Sequence, residues 1–298
     1  KHFNRPDHAM FDYDVYTICS DGDMMEGVAS EAASLAGHQM LGNLCWIYDS
    51  NRITIEGHTD LAFSDDVAAR FLAYGWNVQR VGDANDTERL TQAIDVFKRT
   101  DVVPTLIVVE SHIGYGAPHK HDTSAAHGEP LGEEEIRLAK RSYGWPEEAK
   151  FLVPDGVREH FHDGIGRRGS SLQEDWNALF KSYRKKYPDI AVRIERMQRR
   201  DLPDGWDSSL PTFPADAKGL ATRDSSGKVL NAIAPRLPQL SGGSADLDPS
   251  TKTAMKGLGD LNPPATADTD QQGSDGGGWS HAGRNIPFGV REHAMGAN

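Results

Sequence analysis

Across the first 115 residues, short apolar runs alternate with amphipathic stretches: YTICS, GVASEAASLAGHQM, LCWIYD, VAARFLAYG, NVQRVG, LTQAIDVFKRT and PTLIVVES follow one another. The apolar runs, rich in Val, Ile and Tyr, read as buried strands, and the stretches between them carry helical spacing. A strand-helix-strand series of this kind builds a parallel sheet whose two faces must both be covered, with ligands at the carboxyl ends of the strands. The expected class is therefore α/β, with parallel sheets flanked by helices on both faces. At 298 residues the chain is long enough for two domains, each with its own core.

Composition narrows the partners. No run approaches the ~20 apolar residues needed to cross a bilayer, so no membrane role is expected. The 32 basic and 44 acidic side chains leave a net charge of -12, which opposes non-specific nucleic-acid binding. Any anionic ligand must then be held by local donors. Cys19 and Cys45 lie in apolar runs without CxxC or metal-ligand spacing, so a reducing cytoplasm is the expected setting. The chain begins at Lys1 without a signal-peptide pattern and stops at Asn298 just after a helical start, so further sequence is expected on both sides.

A loop rich in Gly, His and Pro runs from Gly114 to Gly132, and loops of that length often carry function. Helices are expected near Glu133 to Tyr143, Leu172 to Tyr187 and Lys228 to Leu237. A strand and turn are expected at QLSGGSADL, and a second loop from Gly257 to Gly283. The Pro-rich segment from Leu202 to Pro214 suggests a linker. The expected division is a first domain at 1–187, a linker at 188–215 and a second domain at 216–298.

Chemistry is most concentrated at SDGDMMEG, Ser20 to Gly27, directly after the strand YTIC, and at Asp49 to Ile53, where LCWIYD ends. Two strand ends of one parallel sheet would bring Asp21 and Asn51 together at the ligand edge. A carboxylate, an amide oxygen and a backbone carbonyl are hard oxygen ligands suited to Mg²⁺ or Ca²⁺. The helix opened by Glu26 to Ser30 would add N-terminal amides for a diphosphate.

The spacing of these two segments is similar to the thiamine diphosphate fingerprint. Six longer strings resemble the transketolase family, in that family's order and over most of the chain: DGDMMEGVASEAASLAGHQMLGNL, IYDSNRITIEG, HIGYGAP, AAHGEPLGEEE, LSGGSADLDPS and GVREHAMGA. The resemblance implies a thiamine diphosphate-binding fold in two partial domains, 1–187 for diphosphate and metal and 216–298 for the start of the pyrimidine-binding domain. It implies reversible transfer of a two-carbon ketol unit between sugar phosphates in the pentose phosphate pathway, with thiamine diphosphate and Mg²⁺ (or Ca²⁺ or Mn²⁺). It also implies a homodimer with its active site at the subunit interface.

Carried over residue by residue, the resemblance makes Asp21, Asn51 and the carbonyl of Ile53 the metal ligands. Gly22 would allow close approach of the phosphates. His127 would lie against the diphosphate and the substrate, and Glu292 would hydrogen-bond N1′ of the aminopyrimidine; these two are the expected catalytic residues. Asp246 would stand near the thiazolium, with Ile53, Ile55 and Ile113 packed on the cofactor. Arg223 and Ser250 would hold the sugar phosphate, a task suited to a forked guanidinium. Glu26 and Glu31 would link the two cofactors across the dimer. One departure is Ser20-Asp21-Gly22-Asp23 where many members have Gly-Asp-Gly-Cys, which places extra charge near the metal. Other readings are a cofactor-binding fragment without turnover and a related ketol-transferring enzyme such as dihydroxyacetone synthase.

Three further patterns read as bland. Gly164 to Gly169 satisfies GxGxxG, but no strand leads into it. His119 with His121, or His160 with His162, lacks a third ligand at supporting spacing and reads as surface histidine. Arg184 to Lys186 reads as a solvated helix face.

Overall fold

The computed structural model describes residues 2–264 and 272–297. The chain divides into two compact units, one holding Tyr13–Val153 and the other holding Pro154 onward together with the residues through Asp12. The expected linker lies later, at 188–215.

In the first unit, β1 (Val15–Ser20), α1 (Asp21–Met25), α2 (Gly27–His38), β2 (Leu44–Ser50), a small hairpin of β3 (Ile53–Thr54) and β4 (Gly57–His58), α3 (Val67–Ala73), β5 (Asn77–Val81), α4 (Thr87–Arg99), β6 (Thr105–Glu110) and α5 (Glu133–Ser142) follow in order. Four strands form one parallel sheet in the order β1-β2-β6-β5. Side chains alternate across it as the period of two demands. Cys19, Tyr48, Leu106 and Val108 pack with Met24, Ala33, Phe71 and Trp76 on one face. Cys45, Ile107 and Val109 pack with Val81, Ala93 and Phe97 on the other. The helices thus cover both faces, as the alternation predicted. Burial pushes both thiols, Cys19 and Cys45, up to about 12, so neither is a reactive thiolate.

One strand departs from expectation. β1 reads as buried, but Ile18 is 79% exposed and Val15 and Tyr16 are also exposed. β1 is the edge of the four-stranded sheet. On its second face, α4 reaches Tyr16 through an edge-on contact with Phe97 at 5.2 Å, one pleat short of Ile18.

In the second unit, α6 (Val157–Phe161) continues through a π-helical turn at His162–Gly166 into α7 (Arg167–Lys186), followed by α8 (Pro188–Arg199) and α9 (Thr222–Ile233). The GxGxxG segment therefore runs as continuous helix, without the strand-to-helix turn a dinucleotide fingerprint needs. Residues 188–199 were expected in the linker but form a helix. Pro188 sits at its first position, where a missing N–H costs nothing, and Ala191 and Ile194 bury against Met10 and Tyr183. α10 (Asp248–Thr251), β7 (Asp260–Leu261), β8 (Trp279–Ser280) and α11 (Glu292–Ala297) complete the unit. β7 and β8 pair in parallel over two residues each. At QLSGGSADL the structure has a single bridge, Gly242 to Asn285, in place of the expected strand. A Cβ on Gly243 would lie 2.1 Å from the carbonyl oxygen of Ile286, so glycine is required for this backbone approach. Within the second expected loop, 257–283, residues 265–271 lie outside the described set. No described helix is long and apolar enough to cross a membrane.

Candidate functional site

The site is built where β1 and β2 end side by side. Ser20 pairs with Asp49 in register, so the next residues of both strands emerge at one sheet edge. Asp21 opens α1 and is 3% exposed. Its carboxylate accepts from the Tyr48 hydroxyl at 2.6 Å and from the backbone amides of Asn51 at 3.1 Å and Arg52 at 2.9 Å. A buried carboxyl group without such donors would be costly, so these three bonds satisfy it and fix its position. Burial, reinforced by the Asp21 carboxylate, raises the Tyr48 hydroxyl above its ordinary range and keeps it a donor.

The amide oxygen of Asn51 accepts from the Ile53 amide at 3.0 Å, which orients the side chain at the start of the β3-β4 hairpin. Both Asp21 and Asn51 retain oxygen lone pairs beyond these bonds, since a carboxylate has about four acceptor sites and an amide oxygen two. Among the described residues, a Cβ placed on Gly22 or Gly27 meets no atom within 4 Å outside its chain neighbours and its own helix backbone. The space above the start of α1 and α2 is open, and the chain's own packing does not require either glycine. This donor set and this opening fit a hard divalent cation with a diphosphate. Two adjoining cavities line the same edge, of about 330 Å³ beside Asp21, Tyr48 and Arg52, and about 260 Å³ beside Asn51, Ile53 and His112.

Asp23, the added charge of the departure, turns away from this use. Its carboxylate accepts from the Ser20 amide at 2.8 Å and the Ser20 hydroxyl at 3.1 Å, closing the first turn of α1. Arg70 supports the other end of that turn by donating to the Met24 carbonyl at 2.7 Å while pairing with Asp65. Glu26 precedes α2 without capping it and is exposed.

The remaining expected residues of this unit sit on the loops above the sheet. Ile53 is buried, whereas Ile55 is 71% exposed at the hairpin tip. A Cβ on Gly128 would come within 3.6 Å of the Ile55 side chain, so the His127-Gly128 turn lies against that tip. His127 itself is exposed, and its amide bonds the Ser124 carbonyl. Ile113 is half-buried and its carbonyl accepts from the Asp122 amide at 3.0 Å. His119 is held by Glu135, which accepts from its amide at 2.7 Å and contacts its Nδ1 at 2.9 Å.

The other expected residues belong to the second unit. Arg223 is exposed in the first turn of α9. One turn later on the same helix face, Gly227 approaches residue 252 so closely that a Cβ would lie 2.7 Å from the Cβ of Lys252. This contact seats α9 beside α10, which carries the exposed Ser250. Asp246 is exposed with φ +59°, and Glu292 is exposed at the start of α11.

Residues 1–203 match the family described as "Transketolase, thiamine diphosphate binding domain", and residues 218–298 match "Transketolase, pyrimidine binding domain". The chain belongs to the transketolase family. It is 46% identical over 295 residues to a transketolase of Geobacillus stearothermophilus and 43% identical over 295 residues to one of Bacillus subtilis; each match covers 99% of this chain and 42% of the relative. Among solved structures, a transketolase of Pichia stipitis in complex with sedoheptulose 7-phosphate superposes with a TM-score of 0.90 at 41% identity, covering 99% of this chain and 42% of that one. The transketolase of Leishmania mexicana gives 0.86 at 39% identity, over 99% and 41% of the two chains. The chain thus spans less than half the length of these transketolases, and the sheet unit lies within the part that matches their thiamine diphosphate-binding domain.

Sequence reasoning missed two groups here. Tyr48 lies inside an apolar strand and reads as core, and its hydroxyl becomes relevant only once β1 and β2 pair. His112 and Asp122 are ten positions apart in a loop, and no helical or strand period brings them together in the sequence.

Proposed function

We propose that this chain is part of an enzyme that uses thiamine diphosphate and Mg²⁺ to move a two-carbon ketol unit from a ketose phosphate to an aldose phosphate. The observation that carries the reading is the fixed, buried Asp21 carboxylate beside Asn51 at adjacent strand ends, under open space at Gly22. Asp21, the Asn51 side chain and the Ile53 carbonyl would hold Mg²⁺, and through it the diphosphate. When bound, thiamine diphosphate supplies the electron sink that carbon-carbon bond cleavage needs.

The chain's own residues would position the reactants. Ile55 and Ile113 would exclude water from the thiazolium, and His127 would face both diphosphate and substrate from the turn against Ile55. Asp246, in the second unit, would stand near the thiazolium of a cofactor bound at the subunit interface. Glu292 would hold a proton at N1′ of the aminopyrimidine. Arg223 and Ser250, on neighbouring helices, would fork onto the substrate phosphate. Glu26, exposed and not engaged in capping, and Glu31 would join two cofactors across a homodimer. A cytoplasmic setting accords with the buried free thiols.

Thermal unfolding with and without thiamine diphosphate plus Mg²⁺ tests this. Stabilisation requiring both is expected, about 2.7 kcal/mol at a hundredfold excess over Kd. It should vanish in Asp21→Ala and in Asn51→Ala, the second leaving the Tyr48 bond intact. A folded chain with no shift, or a shift that survives both substitutions, would sink the proposal.

A further inference from the structure

A second cluster of ligating side chains lies at the base of the loop that follows β6. His112, His121 and Asp122 each present one donor atom, and the three donors lie within 4.8 Å of one another. The Asp122 carboxylate is 2.9 Å and 3.1 Å from Nδ1 of His112, and 3.2 Å from Nε2 of His121. Around a tetrahedral ion with metal-ligand bonds near 2.0–2.1 Å, donors stand about 3.3 Å apart. The Asp122 carboxylate, now hydrogen-bonded to His112 and paired with His121, therefore already stands at about the separation that two ligands of one ion would have from both imidazole nitrogens. The two rings stack with centroids 4.9 Å apart, and all three side chains are partly exposed, so an ion could reach them from solvent.

We propose that His112, His121 and Asp122 form a binding site for a divalent transition-metal ion of the Zn²⁺ class, tying the start of the loop that carries Ile113 to its middle. Two imidazoles and one carboxylate select Zn²⁺, Co²⁺ or Ni²⁺ over Mg²⁺, which takes oxygen donors. The site is chemically distinct from the all-oxygen set at Asp21 and Asn51. Asp122 is pre-set for the role: it is held at φ +54°, with its amide bonded to the Ile113 carbonyl, so the carboxylate is fixed opposite His112 before any ion arrives. Three protein donors leave a fourth position open, and His112 and Asp122 line the cavity that also holds Asn51 and Glu110. The His119-His121 pair considered from sequence is not this set, because His119 is engaged by Glu135.

The test is equilibrium dialysis of the chain against Co²⁺ in buffer with excess Mg²⁺, with visible absorption reporting the coordination. One equivalent is expected to bind. Affinity should fall about tenfold or more in each of His112→Ala, His121→Ala and Asp122→Asn, since even losing an outer-shell partner of a metal ligand costs 10–100-fold. His160→Ala and Asn51→Ala should bind as the parent does. If circular dichroism shows that an alanine variant does not fold, His112→Gln replaces it, keeping a polar group and removing the imidazole. Absence of stoichiometric binding, parental affinity in the His112 and His121 variants, or an equal loss in His160→Ala or Asn51→Ala would overturn the proposal.

Discussion

β1 and β6 are parallel strands of one sheet with similar apolar sequences, and they meet opposite fates. β6 is buried from Thr105 to Val109, with Leu106 and Ile107 at 0% exposure, because β2 and β5 flank it and helices cover both its faces. β1 is likewise apolar and rich in β-branched residues, yet Ile18 is largely exposed. An apolar strand pattern therefore reports the packing a sheet asks for, and edge position decides whether this chain supplies it. The segment that follows each strand is nonetheless held by a buried carboxylate. Asp21 is clamped after β1 by Tyr48 and the amides of Asn51 and Arg52, and the loop after β6 is latched by Glu135 onto His119. Site geometry here depends on buried carboxylates that hold the segments after the strands more than on how deeply the strand itself lies.

The sharpest way to break this comparison is a matched pair of substitutions. Ile107→Ala, in the middle of β6, should cost about 2–5 kcal/mol by urea denaturation, through lost transfer energy and the cavity left behind. Ile18→Ser, at a comparable place in β1, should stay within about 0.5 kcal/mol. Equal costs would mean that β1 is covered in solution.

The same contrast shows how far the sequence could be read. The α/β alternation, the parallel sheet and the placing of Asp21 beside Asn51 were legible because period and strand-end topology are local properties that carry over directly into space. The exposure of Ile18 was not, since it depends on strand order. α8 was missed because the linker suggested by the Pro-rich segment from Leu202 to Pro214 was drawn back to 188, although at a helix's first turn a proline such as Pro188 is an initiator. Of the expected site, the residues of the sheet unit converge on a single edge. Arg223, Asp246, Ser250 and Glu292 sit on exposed turns and helix starts, where the family resemblance carried the assignment, for all but Arg223 through its quoted strings, and local geometry adds little beyond the Gly227 contact.

A smaller effect separates the clamp from the strand. Tyr48→Phe keeps the ring in the core and removes the donor to Asp21, leaving that carboxylate with its backbone amides alone. The expected cost is about 1–3 kcal/mol, the penalty for a buried group that loses its partner. It should appear in chemical denaturation and be absent in an Asp21→Asn background, where the charge being served is gone. An undiminished loss in that background would assign the effect to ring packing.

The smallest expected effect concerns the latch after β6. Hydrogen bonds from His119, the backbone amide first, hold the Glu135 carboxyl below the usual glutamate range. A carboxylate whose pKa is depressed by folding adds stability above its unfolded value of about 4.3, and that stability is lost as pH falls through the lower folded value. The parent chain should therefore lose melting temperature more steeply than Glu135→Gln as pH is lowered from about 5 to 3, while at neutral pH the variant melts slightly lower. Because the latch acts on the loop and not on the sheet, its loss should leave the cost of Ile107→Ala unchanged, as expected for sites that share no partner. If the two substitutions instead couple strongly, the loop after β6 is part of the sheet's cooperative core, and the distinction between strand burial and strand-end clamping fails on this side of the molecule.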